Sequence, residues 1–273
     1  MKILQIRIRG LGHGFARIDA IMAGFSLLLL GLVAWGGVWL GGESRRIWAC
    51  QNHLKQLGEG FTRYTQDHGG ALPSAALVDG TNSTSWDVEI APYLEPKVVK
   101  PVSPAAMAAI KAKTAYLFKC PSDREPRGGE LPRSYSMPMY DLNHVSWPPD
   151  QDSLGGLGLY LDGKALKKVR DADPNLSPDA VPAIKTAMVP DPYDTALLVE
   201  RISIINALWA TKYACIVSTR EQFDAKTFAA KDFHGGRLNY LMLDGHVELL
   251  WPVQSGGHTG SGDQGLWTIR PQD

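Results

Sequence analysis

Several side chains in this sequence are of types that do chemistry. His234 is followed, after nine intervening residues, by Asp244-Gly245. An imidazole and a carboxylate form a metal or acid–base pair wherever a fold brings them together. Asp263 sits in "SGGHTGSGDQG" (Ser255 to Gly265), where a carboxylate and backbone carbonyls could wrap a calcium ion. Asp19 stands at the head of an apolar run, where a carboxylate is costly unless paired. The cysteines are Cys50, Cys120 and Cys215, with no CxxC and no Cys/His cluster at zinc spacing. That pattern argues against a structural zinc site. An odd count leaves at least one thiol unpaired if a disulfide forms.

Plainer readings compete with each of these and are adopted. His234 caps or packs at the start of a hairpin, and Asp244 is a turn residue. The glycine-rich stretch around Asp263 is a loop. No cofactor is therefore expected, with calcium at Asp263 and a His234–Asp244 metal pair as the alternatives. No GxSxG, HExxH or P-loop occurs. Gly156-x-Gly158 has Leu161 where a dinucleotide fingerprint needs its third glycine. Asn82-Ser83-Thr84 is a formal glycosylation sequon. The chain reads as a non-enzyme. Its 28 basic and 28 acidic side chains balance, which argues against nucleic acid as a partner.

The elements that must carry these residues begin at the N-terminus. Ala20 to Gly42 holds no charged residue, and about 20 apolar residues cross a bilayer. Lys2, Arg7, Arg9 and Arg17 precede it, which places the N-terminus in the cytoplasm. The competing readings are a buried core helix, a cleavable secretory signal and an uncleaved signal anchor. Beyond the run, Ile47, Cys50, Leu54, Leu57, Phe61 and Tyr64 fall on one helical face. The spacing predicts one helix from Phe15 to His68, stopping at Gly69-Gly70. Gly58 and Gly60 each cost it about 1 kcal/mol, so a bend or fray is expected there.

Farther on, "PAAMAAIKAK" (Pro104 to Lys113) predicts a short helix. "TALLVE" (Thr195 to Glu200), "SIINALWA" (Ser203 to Ala210) and the "YACIVST" around Cys215 predict strands. "NYLML-DG-HVELLW" predicts a hairpin with a type I′ turn at Asp244-Gly245. The proline- and aspartate-rich stretch at about 139–195 reads as an irregular surface excursion.

The basic leader, Gly14, Phe15 and then Asp19 at the fifth position of the mature chain resemble a type IV prepilin signal. Asp19 replaces the family's usual Glu, and Arg17 stands where the family has an apolar or small residue. Downstream stretches resemble the pseudopilin-like proteins with a C-terminal His-x9-Asp-Gly motif. They are "CQNHLKQLGEGFTRYTQDHGGALP", "SWDVEIAPYL", "YLFKCPSD", "RSYSMP", "HGGRLNYLMLDGHVELLW" with His234, Asp244 and Gly245, and the closing "GLWTIRPQD".

The resemblance implies an α+β, pilin-like fold: a long N-terminal helix packed on a small antiparallel sheet. It implies a leader over 1–14, a membrane-spanning half-helix over 15–42, an amphipathic half-helix over 43–70 and an extracytoplasmic domain over 71–273. The partners it implies are a prepilin peptidase cutting after Gly14, other pilin or pseudopilin subunits, and an inner-membrane assembly platform. The machine would be a type II secretion or type IV pilus-like system. Asp19 would meet a neighbouring subunit's N-terminal amine. Some pseudopilins hold calcium in a C-terminal loop, which bears on Asp263. The matched cysteines imply a Cys50–Cys120 disulfide, with Cys215 buried and reduced; the rival reading is that all three stay reduced and simply pack. The alternative function is a membrane-anchored extracytoplasmic binding or enzymatic domain that never polymerises.

Overall fold

The computed structural model describes residues 12–79, 82–95, 102–140, 142, 147, 155–177, 180–203, 206–211, 215–216 and 234–251. The side chains of 12–20, 33–40, 79, 82, 215 and 216 are outside that description. The chain divides into two compact units, Met1–Arg45 and Arg46–Asp273.

Helix α1 runs from Gly12 to Asp67. In the first unit its described apolar side chains are exposed: Ile21, Met22, Phe25, Leu27 to Leu30 and Leu32. Among the described residues no helix is long and apolar enough to cross a membrane. The expected span includes 33–40, whose side chains lie outside them.

In the second unit α1 buries Cys50, Leu54, Leu57 and Phe61, the face that the 3-4 spacing picked out. A fully buried Leu or Phe contributes about 1.5–3 kcal/mol. Phe61 stacks on Trp86 at 5.6 Å. The helix is continuous through Gly58 and Gly60. A Cβ at Gly58 would lie 3.1 Å from Leu241 Cδ1, and one at Gly60 2.7 Å from Leu94 Cδ2. The two glycines let the helix sit close to its neighbours, and that packing offsets their low propensity. After Asp67 the amide of Gly70 bonds the Thr65 carbonyl at 2.8 Å, closing the helix end.

The fold is α+β, as expected, but the sheet is mixed rather than antiparallel. Its strands are β1 (Ala76–Asp79), β2 (Asn82–Ser85), β3 (Tyr135–Tyr140), β4 (Gly158–Leu161), β5 (Ala196–Glu200), β6 (Cys215–Ile216), β7 (Leu238–Met242) and β8 (Val247–Leu250). They lie in the order β2-β1-β4-β3-β5-β7-β8, with β6 on β3. β4 pairs parallel with both β1 and β3, and β6 parallel with β3. The other α-helices among the described residues are α2 (Trp86–Ile90), α3 (Pro104–Thr114) and α4 (Gly163–Ala172). α3 starts as expected: Pro104 is at its first turn and the Ser103 hydroxyl caps Ala106 N–H.

Three expectations are corrected. The described part of the 139–195 stretch is not an irregular surface excursion, because it supplies the interior strand β4 and α4. Leu157, Leu159, Leu161, Leu166 and Val169 are all buried. The near-miss dinucleotide glycines are packing residues here. A Cβ at Gly156 would stand 2.5 Å from the Pro138 carbonyl oxygen, and one at Gly158 2.7 Å from Met137 Cβ. Second, the described part of 203–210 forms a turn with an isolated bridge between Ala207 and Pro132, not a strand. Trp209 there has φ 63°, outside strand geometry.

Third, the Asp244-Gly245 turn is not type I′. Only Gly245 takes a positive φ, 96°. Gly245 N–H bonds the Met242 carbonyl at 3.0 Å, and Met242 N–H bonds the His246 carbonyl at 2.9 Å. Leu243, Asp244 and Gly245 thus form a three-residue loop, a type I turn closed by a left-handed glycine.

Candidate functional site

Four reactive side chains from four separate segments meet under the sheet. Cys50 comes from the inward face of α1. Cys120 follows the single-turn 3-10 helix Ala115–Phe118. Glu200 is the last residue of β5, and His234 begins a short turn before β7. All four are buried.

Their reactive atoms lie within 4.8 Å of one another. Cys50 Sγ donates to Glu200 Oε1 at 2.5 Å and lies 3.0 Å from Tyr135 Oη. His234 Nε2 lies 3.1 Å from Glu200 Oε1 and 3.4 Å from Cys120 Sγ. Asn239 holds the carboxylate from its far side: its backbone N–H donates to Oε2 at 2.6 Å and its side-chain amide to Oε1 at 3.2 Å.

Burial by itself would depress the His234 imidazole. Its bonds to Cys120 and Glu200, with the charge on Glu200, outweigh burial and push it up to about 10. Burial first, then the Cys120 contact and Glu200, push the Cys50 thiol well up. His234 has φ 46°, a conformation a non-glycine residue holds at a cost when its surroundings demand it.

The Cys50–Cys120 disulfide is a correction. The two cysteines do meet, but both are free thiols, each engaged with Glu200 or His234 instead. Asp244 is not in the cluster; its carboxylate bonds His246 Nδ1 at 2.6 Å within the turn. With Gly245 it borders a groove of about 530 Å³ along the polar face of α1, beside Lys55, Glu59 and Arg63. The backbone of Gly14, Phe15 and Asp19 lies in α1, and their side chains fall outside the described residues, as does the side chain of Cys215. Asp263 lies outside them altogether.

The remaining motifs build a buried polar scaffold beside the cluster. Arg133 of "RSYSMP" bonds Asp87 of "SWDVEI" at 2.8 Å, and both are fully buried. Its Nε donates to Asn206 Oδ1 at 2.8 Å. Asp87 Oδ2 accepts the backbone N–H of Trp209 at 2.6 Å, which anchors that residue's strained backbone. Asp123 of "FKCPSD" takes two bonds from Arg127, at 2.6 and 3.0 Å, and one from Ser134 at 2.6 Å. Ser134 Oγ in turn accepts from the Cys120 backbone N–H at 2.9 Å, so this scaffold fixes the position of Cys120.

Residues 43–154 match the family described as a protein of unknown function, DUF1559. No curated protein and no solved structure matches the chain. The DUF1559 match takes in Cys50, Asp87, Cys120, Asp123 and Arg133, and ends before Glu200 and His234.

Glu200 and Tyr135 escaped the sequence reading. One signal was there: a carboxylate closing the otherwise apolar "ALLVE", a strand buried along its whole length. A charge in such a strand needs partners inside the protein.

Proposed function

We propose that this protein is a structural, pilin-like subunit, anchored in the inner membrane by α1 and assembling through that helix in a type II secretion or type IV pilus-like system. The observation that carries the reading is the division of labour along α1. From Cys50 to Phe61 its apolar face is covered by its own domain. From Ile21 to Leu32 its apolar side chains have no cover, Ile21 being 70% and Leu27 69% exposed. A continuous apolar surface of that kind calls for lipid or for other protein. The uncharged sequence from Ala20 to Gly42 extends it to a length suited to a bilayer. The prepilin-like Gly14-Phe15 and Asp19 support cleavage by a prepilin peptidase and pairing with the N-terminal amine of the next subunit.

The test is the mass of the chain purified from membranes. A mature chain beginning at Phe15, with Gly14→Leu retaining the leader, is the expected result. Asp19→Ala should still insert but lose filament or subunit crosslinks. Identical processing in wild type and Gly14→Leu would replace this reading with that of a non-polymerising anchored domain.

A further inference from the structure

We propose that Cys50, Cys120, Glu200 and His234 together bind one divalent ion of the zinc class, as a closed structural site that fastens α1 to the sheet. The inference is independent of the pilin-like reading. Among the described residues, these four form a group able to hold a metal.

The donor set fits the ion. Two thiolates, an imidazole and a carboxylate suit zinc, a borderline-soft ion with tetrahedral preference. Metal–ligand bonds of about 2.0–2.3 Å place tetrahedral ligands about 3.3–3.8 Å apart. The Cys120–His234 and His234–Glu200 separations, 3.4 and 3.1 Å, are close to that edge length. Cys50 and Glu200, at 2.5 Å, are joined through the thiol proton. Binding releases the Cys50 and Cys120 thiol protons and the proton on the His234 Nε2 to the solvent, and loss of the Cys50 proton opens the pair.

The surrounding groups fit as well. Tyr135 Oη, 3.0 Å from Cys50 Sγ, is placed to donate to a thiolate. Asn239 gives two N–H bonds to the Glu200 carboxylate. Such outer donors orient metal ligands and hold them in their charged form. Four protein ligands, all buried, leave no open position, so the site is structural rather than catalytic. The zinc-like spacing missing from the sequence is supplied by the fold: Cys50 and Glu200 are 150 residues apart, and Cys120 and His234 are 114 apart.

The experiment uses the full chain in detergent, purified without reductant or chelator. Elemental analysis should find about one zinc per chain. Exchange for cobalt should give a sulfur-to-cobalt charge-transfer band. Cys50 and Cys120 should resist alkylation until a chelator is added. Cys215→Ser should keep the cobalt band, and Cys120→Ser should lose it. Tyr135→Phe, which leaves all four ligands in place, should weaken binding about 10- to 100-fold. A chain that takes up neither zinc nor cobalt would overturn the proposal. So would a Cys50–Cys120 disulfide peptide that reductant releases and chelator does not.

Discussion

Glu89 is a residue whose surroundings set a measurable pH dependence. Burial raises its carboxyl above the usual range, while the hydroxyl of Tyr64, donating at 2.8 Å, works against that rise. The folded state therefore holds this proton more tightly than the unfolded chain. Stability from Glu89 is greatest at low pH, falls as pH rises through the ordinary carboxylate value, and levels off above the folded one. Glu89→Gln keeps an acceptor for Tyr64 and removes the titration. Urea midpoints of the two proteins should diverge as pH rises above the ordinary carboxylate value of about 4, with the wild type losing ground; parallel profiles would show that folding does not raise the Glu89 carboxyl. Residue identity was legible in the sequence only where it carried a local pattern. The inward place of Cys50 follows from its step with Leu54 and Leu57. The partnership of His234 with Glu200 does not, because no short-range rule joins a turn histidine to a strand end.

At the scale of elements, the close approach of β4 to β3 makes a sharp prediction. Gly158→Ala must push its new Cβ against Met137 Cβ, the Pro138 carbonyl and Ala75 Cβ, atoms that cannot swing aside. Overpacking of this kind costs about 1–3 kcal/mol. Gly163→Ala, in the first turn of α4 with nothing within 4 Å of its Cβ, should be neutral or stabilising by up to about 1 kcal/mol. Chemical denaturation of both variants checks the contrast, and equal midpoints would deny the tight β3–β4 packing. Elements with a repeating signal were readable: α1, α3, β5 and the β7–β8 hairpin. β4 was not, because "GLYL" is too short to show alternation and sits among glycines, prolines and aspartates. Its strand character comes from the slot between β1 and β3. The turn type was misjudged for a similar reason: Asp-Gly suits two hairpin geometries, and the cross-strand register chose between them.

For the whole molecule, every described residue of the hydrophobic core belongs to the second unit. A chain of residues 43–273 should therefore fold by itself, with a thermal transition close to that of the full chain in detergent. It should remain monomeric without detergent, since the exposed leucines of α1 are gone. Failure of this fragment to fold would show that residues before 43 contribute to the core. The order of these elements along the chain has a further consequence, in time rather than in space. Helix α1 is made before β5 and β7, the strands that lie against it, which are among the last described segments to be made. Contacts this distant along the chain form slowly. Until those strands are made, the face of α1 bearing Leu54 and Leu57 lacks that cover. The newborn chain is thus a natural client for a holding chaperone, and its yield in a cell should depend on chaperone supply more steeply than its final stability suggests.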